Sequence, residues 1–389
     1  MISPNSIRLL DFVISIASAI DHIDAHVAHH HKRVAYIANQ IGGVLGVTQK
    51  SQYDLVIAGL LHDIGVLSVS GRGHQQVHHV SGDNGHCEAG FRLLNKFRLC
   101  FEISILIRHH HTNYNQRHAD LTNPAIPMES MLLHLADCVE MLIDKQQPVL
   151  EQVDRIVASV ARDSGSRFDP EHVDAFSELA WRESFWLDVV SPSLEQVLIN
   201  NCRNYSVEMD NDDLLDFAEL LAHIIDFRSR FTATHSSGVA SVAAMIAEFI
   251  GFSEAECQKV RVAGYLHDIG KLAIPVDILE KEGKLTSAEF RTIKSHAYYT
   301  NRILEPLRGM EEIRTWAAMH HERLDGNGYP GRCNALAIPL GARIIAAADV
   351  FTALLETRPY RDRLEKNEVV QKLQELTRRP ASCSESTKH

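Results

Sequence analysis

Seven side chains in the second half of the chain follow one another in an order that metal chemistry can use: His235, His267, Asp268, His296, His320, His321 and Asp349. All are nitrogen or oxygen donors. Such a set suits iron, manganese, zinc or a similar first-row ion, and seven donors exceed the four that one tetrahedral ion takes, so two ions fit the count. The adjacent pair His267-Asp268 ends a predicted helix, which lets the two side chains diverge to different ions while the carboxylate bridges both. Two ions about 3.5–4 Å apart jointly activate a water for in-line attack on phosphorus. The chemistry indicated is phosphoester hydrolysis.

The first half carries the same series: His30, His62, Asp63, His86, His110, His111 and Asp137. It belongs to a repeat of the whole chain. LLDF at Leu9 recurs at Leu214, 205 residues on, and the same spacing relates His30 to His235 and the HDIG at His62 to that at His267. The spacing grows to 210 for His86 and His296 and for the His110-His111 pair, then to 212 for Asp137 and Asp349, as small loop insertions would produce. A second metal site in the first copy follows from this correspondence. The copies differ beside it: Val66 stands where the second has Lys271, and Thr112 to Arg117 contains no glycine-rich loop like DGNGYPG. The neighbouring His29, His31 and His109 are read as solvent-facing or as supports for the ligands.

The elements that must position these side chains read as helices. VASVAAMIAEFIGF and LLDFAELLAHIIDF space apolar residues by three and four, and alternating strand-like runs are scarce. The expected fold is all-α, with two tandem helical domains at 1–200 and 214–379, a polar linker at 201–213 and a polar, frayed tail at 380–389. Phe12 to Ile20 reads as the first helix. Gly251 and Gly283 read as helix stops, and the Ser253/Glu256 and Thr286/Glu289 pairs as capping boxes.

Composition narrows the partners. A formal net charge of −11 disfavours extended contact with DNA or RNA, which rests on Lys and Arg against phosphates. The seven cysteines are scattered without a C-x-x-C pair, which argues against a disulfide framework or a zinc ribbon. With no apolar run of membrane-spanning length, the reading is a cytoplasmic protein with no membrane partner. A homodimer is left open.

HDIGKLAIP at His267 and HHERLDGNGYPG at His320, extended by RIIAAADVFTAL and RPYR, resemble the HD-GYP subgroup of the HD phosphohydrolases, whose members hydrolyse cyclic dinucleotides. The resemblance covers about residues 214–379 and implies HD-type domains. It implies that His235, His267 and Asp349 serve one metal, that His296, His320 and His321 serve the other, and that Asp268 bridges them. Iron or manganese would be the ions, with nickel, cobalt or zinc as further candidates. Asp268 and Lys271 would be catalytic; Lys271, Tyr329, Arg358 and Arg361 would contact the substrate. Family members with three metals carry a Glu where this chain has Phe231, so two ions are expected. The tandem layout is similar to enzymes acting on 3′,3′-cyclic GMP-AMP (3′,3′-cGAMP), with cyclic di-GMP the family's usual substrate. The product would be a linear dinucleotide with a 5′-phosphate. The alternatives are a first copy that acts as a second phosphohydrolase on that linear product, or a protein that works as a low-activity cyclic-dinucleotide receptor.

Overall fold

The protein is represented by a computed structural model that describes residues 7–21, 29–69, 85–117, 126–227, 234–281, 283–356 and 365–378. The three-and-four apolar spacing emerges as helices throughout. Among the described residues the only strands are β1 (Ile7–Arg8) and β2 (Glu208–Met209), two residues each and antiparallel. The described residues divide into two compact units between Asp213 and Leu214.

In the N-terminal unit the helices that matter for the site are α1 (Leu9–Asp21), α2 (His30–Val44), α3 (Gln49–Leu61), α4 (Gly85–Leu94), α5 (Phe101–Arg108) and α6 (Met128–Met141). In the C-terminal unit they are α7 (Asn211–Phe227), α8 (His235–Phe249), α9 (Glu254–Leu266), α10 (His296–Leu304), α11 (Glu311–Ala318) and α12 (Leu340–Leu355). The repeat is carried into helix boundaries. Both ends of α2 and α3 are displaced by 205 residues in α8 and α9, and both ends of α5 by 210 in α11.

Each unit is organised around one close helix pair. Helix α2 packs on α3 and α6, as α8 packs on α9 and α12. Glycine makes the approach: a Cβ at Gly59 would stand 2.6 Å from the Ala35 Cα, and one at Gly264 would stand 2.6 Å from the Ala240 Cα. Side chains from the core faces of these helices, such as Leu55, Ile57, Val239 and Val260, are fully enclosed.

Local signals behave as their chemistry dictates. Both capping boxes form, at Ser253/Glu256 and Thr286/Glu289. Gly251 closes α8 with φ of 92°, a conformation costly for other residues. Gly283 is not a helix stop, because the short helix Val276–Leu279 has already ended. The segment at 201–213 is built into the N-terminal unit: Leu9 donates its N–H to Val207 O at 2.9 Å, and the Tyr205 ring lies 5.3 Å from that of Tyr53. Its acidic residues are held, with the Arg98 guanidinium 2.7 Å from Asp213 and 3.3 Å from Asp210. After helix Val153–Arg162 the first copy continues with Pro170–Ala180, capped by Asp169, and then with Glu183–Val189 and Leu194–Asn201. No helix among the described residues is long and apolar enough to cross a membrane. The tail expected at 380–389 lies outside the described residues.

The glycine contacts generate a stability test. Gly264→Ala should destabilise the C-terminal unit by about 1–3 kcal/mol, the usual cost of overpacking. Gly43→Ala, whose added Cβ meets nothing within 4 Å, should be neutral or slightly stabilising. Denaturant titration of both variants measures the difference.

Candidate metal centres

Helix ends bring the donors of the C-terminal unit together. His235 opens α8, His267 follows the last residue of α9 with Asp268 next, His296 opens α10, and His320-His321 lie just past α11. Only Asp349 comes from within a helix, α12. Three of the rings are locked in the same way: His267, His296 and His320 each donate Nδ1–H to the carbonyl three residues earlier, Gly264, Ile293 and Ala317, at 2.8, 2.6 and 2.6 Å. These carbonyls lie in the last turns of their helices, where the regular amide partner four residues on runs out. With Nδ1 carrying the proton, each Nε2 is a bare lone pair aimed at its neighbours.

The consequence is an arrangement that repels itself unless a cation enters. Nε2 of His296 and Nε2 of His320 face each other at 3.4 Å, and buried Nε2 of His267 has no hydrogen-bond donor. Two nitrogens sharing one ion at about 2.0–2.1 Å with near-tetrahedral angles stand roughly 3.3–3.4 Å apart. Asp268 offers one oxygen to each side, Oδ2 at 3.2 Å from His267 and Oδ1 at 3.3 Å from His296. Three groups of donor atoms cluster this way: His296 with His320 and His321, His235 with His267 and Asp268, and His267 with His320 and Asp349. The donor set fits metal ions in number, type and spacing.

Electrostatics agree with ligand duty. Burial alone would push the Asp268 and Asp349 carboxyls up, but Lys271, His267 and His296 hold Asp268, and His235 and His267 hold Asp349, well below the usual carboxylate range. Burial together with neighbouring His267 and His296 presses His320 down to about 3, keeping it neutral as a ligand must be. His235 and His267 run the other way: burial pulls both down, yet Asp349 at 3.1 Å on Nε2 and Glu356 at 3.0 Å on Nδ1 raise His235 to about 9, and the adjoining Asp268 carboxylate raises His267.

The N-terminal unit repeats the construction. His62 and His110 donate Nδ1–H to Gly59 and Ile107 at 2.8 and 2.6 Å, and Nε2 of His30 faces Nε2 of His62 at 3.2 Å. Asp63 again divides its oxygens, Oδ2 at 3.3 Å from His62 and Oδ1 at 3.7 Å from His86. Asp137 lies 3.5 Å from His30, and the His111 ring packs at 4.2 Å from His110 and 5.0 Å from His86. All seven donors of the first series therefore converge. In both copies the glycine of the HDIG turn is required by contact: a Cβ at Gly65 or Gly270 would sit about 2 Å from the carbonyl of His86 or His296.

Around the donors the copies part. The Lys271 ammonium lies 2.5 Å from Asp268 Oδ2, a place taken by Val66 in the first copy. The Tyr329 ring packs 4.7 Å from that of His321, and burial with nearby Asp268 and Asp349 raises its phenol so that it stays protonated. Arg358, Arg361 and Phe231 lie outside the described residues. Of the histidines set apart from the series, His29 is exposed and His109 half-buried, whereas His31 is buried with Nδ1 2.7 Å from Asp21.

Three carboxylates escaped the reading of the sequence. Glu140 accepts from His30 Nδ1 at 2.6 Å and Glu356 from His235 Nδ1 at 3.0 Å, orienting the first histidine of each series. Glu322 accepts from Gly331 N at 2.5 Å and Cys333 N at 2.9 Å, pinning the glycine-rich loop beneath Tyr329. Only the adjacency of Glu322 to the double histidine signals its role, and the other two carry no sequence signal, lying three residues past Asp137 and seven past Asp349. Glu356→Ala should weaken metal binding by the C-terminal set roughly 10–100-fold, the usual cost of an orienting partner, measured by competition with a chelating dye.

Comparison with known proteins places this geometry. Models described as HD domain match residues 27–142 and 219–380. A 3′3′-cGAMP-specific phosphodiesterase (phosphodiesterase 1) of Vibrio cholerae serotype O1 is 30% identical over 97% of this chain and 89% of its own length. A cyclic di-GMP phosphodiesterase response regulator of Xanthomonas campestris pv. campestris is 40% identical over 44% of each chain. The crystal structure of a V. cholerae cyclic GMP-AMP specific phosphodiesterase superposes with a TM-score of 0.66 at 24% identity, covering 95% of this chain and 94% of that one, a likeness of fold.

Proposed function

Because this chain belongs to the HD-domain family and is a cyclic-dinucleotide phosphodiesterase of the HD-GYP type, we propose that its C-terminal unit opens 3′,3′-cGAMP, with cyclic di-GMP the second candidate, to the linear 5′-phosphorylated dinucleotide. The observation that carries the reading is the pair of lone pairs on His296 and His320 held 3.4 Å apart beside a divided Asp268 carboxylate. That arrangement is stable around cations and poor without them. Relatives that align along nearly the whole chain, through both HD domains, are 3′3′-cGAMP-specific enzymes, which favours the hybrid substrate.

His235, His267, Asp268, Asp349, His296, His320 and His321 would hold two divalent ions, which would supply Lewis acidity and lower the pKa of a water. Iron or manganese suits this nitrogen and oxygen set. The chain's own groups do the rest. Lys271 keeps Asp268 ionised and carries the positive charge that meets non-bridging phosphoryl oxygens as negative charge builds on them. Tyr329, protonated and packed against His321, offers an O–H donor to a phosphate or base at the edge of the site. Arg358 and Arg361 are proposed to clamp the second phosphate, since a guanidinium fork matches its oxygens. Water oxygen adds to phosphorus and gives up a proton, the P–O3′ bond breaks, and the leaving 3′-oxygen takes up a proton to become a hydroxyl.

The N-terminal unit supports a second reading, as a phosphohydrolase acting on the linear product. Its seven donors converge like those of the C-terminal unit, while Val66 and the missing GYP loop remove the features that suit a cyclic diester. A cytoplasmic location fits a substrate of this class.

The test is chromatographic. The full-length protein should convert 3′,3′-cGAMP to its linear form, and His267→Ala or Asp268→Ala should abolish the conversion, as should chelation. Lys271→Met should lower turnover roughly 10²–10³-fold with little change in substrate binding. Undiminished turnover in the two alanine variants would refute the assignment.

A further inference from the structure

The N-terminal centre contains a donor that its counterpart lacks. Cys87 follows His86 in the first turn of α4, and its Sγ lies 3.5 Å from His86 Nε2. Donor atoms of His86, Cys87, His110 and His111 all lie within 4.8 Å of one another. His110 belongs to this group with its Nδ1–H committed to Ile107 and its fully buried Nε2 without a hydrogen-bond partner. At the corresponding place in the C-terminal unit stands Ala297, equally buried and unable to ligate.

We propose that Cys87 is a metal ligand, and that the N-terminal unit therefore builds a His₃Cys site for a thiophilic ion, zinc above all, alongside a C-terminal centre made only of nitrogen and oxygen donors. The spacing supports it. A sulfur at about 2.3 Å and a nitrogen at about 2.0–2.1 Å from one tetrahedral ion are separated by roughly 3.6 Å, close to the 3.5 Å between Cys87 Sγ and His86 Nε2. The sulfur meets an imidazole nitrogen that the repeat marks as a donor. Thiolate softness then sorts metals between two centres whose histidines are otherwise alike. The inference goes beyond the proposed function and does not depend on it.

Cobalt reports the ligand directly. Adding Co²⁺ to the metal-free full-length protein should produce a thiolate-to-cobalt charge-transfer band in the near ultraviolet, and Zn²⁺ should displace it. Cys87→Ala should remove the band and weaken zinc binding by at least about tenfold, given that even outer partners contribute 10–100-fold. This variant carries the residue of the other copy, so a folded protein is expected; Cys87→Ser provides a second loss-of-thiolate variant with a polar side chain of similar size. In an Asp268→Ala background the band should persist, which separates this result from any failure of the C-terminal assignment. A wild-type protein without the band, or a Cys87→Ala protein that keeps both the band and its zinc affinity, would overturn the proposal.

Discussion

Imidazole lone pairs brought face to face in a buried space are the constraint around which each unit is organised. Nε2 of His296 and His320 lie 3.4 Å apart, with both imidazoles held neutral by burial and their Nδ1 protons spent on helix-end carbonyls, and Nε2 of His30 and His62 lie 3.2 Å apart beside Asp63 and Asp137. A buried polar group without a partner is costly, and two facing lone pairs add repulsion. The fold tolerates this because the surrounding helices are fixed by their own packing, above all the glycine-mediated approach of α9 to α8 and of α3 to α2. Binding energy from a cation is thus prepared by the scaffold before the cation arrives.

Duplication explains why one chain contains two such places, and divergence explains why they need not do the same work. Three of the helices that set the imidazoles keep the same length and spacing in the two copies. The groups around them do not persist. A lysine beside the bridging aspartate becomes Val66, a loop pinned by Glu322 is replaced by Thr112 to Arg117, and Ala297 corresponds to Cys87. Even the carboxylate that orients the first histidine has moved, from Glu140 within α6 to Glu356 just beyond α12. The demand for an acceptor on that ring nitrogen persisted while its source in the chain changed.

Charge within the sites follows the same logic. A centre made for dications needs ionised carboxylates and neutral imidazoles at the same pH. Clustered positive neighbours keep Asp268 and Asp349 ionised, and mutual repulsion with burial keeps His320 and His321 neutral. His235, between Asp349 and Glu356, is held toward its protonated form, so a metal ion must compete with that proton for its nitrogen.

The sequence alone made legible the helical repeat and the two series of seven side chains that the fold draws together, because helical periodicity and chemically unusual residues are both visible in one dimension. It also determined the two capping boxes, which depend only on residues three apart. It left the choice among His29, His30 and His31 open. Tertiary structure decided it, since His29 adopts φ of 63° outside α2 and turns His30 inward while His31 goes to Asp21. The orienting carboxylates, the packed segment at 201–213 and the approach of Cys87 to its histidines were decided there too. Each depends on which surfaces meet after the helices pack, and a contact between residues such as His30 and Glu140, 110 positions apart, leaves no periodic trace along the chain.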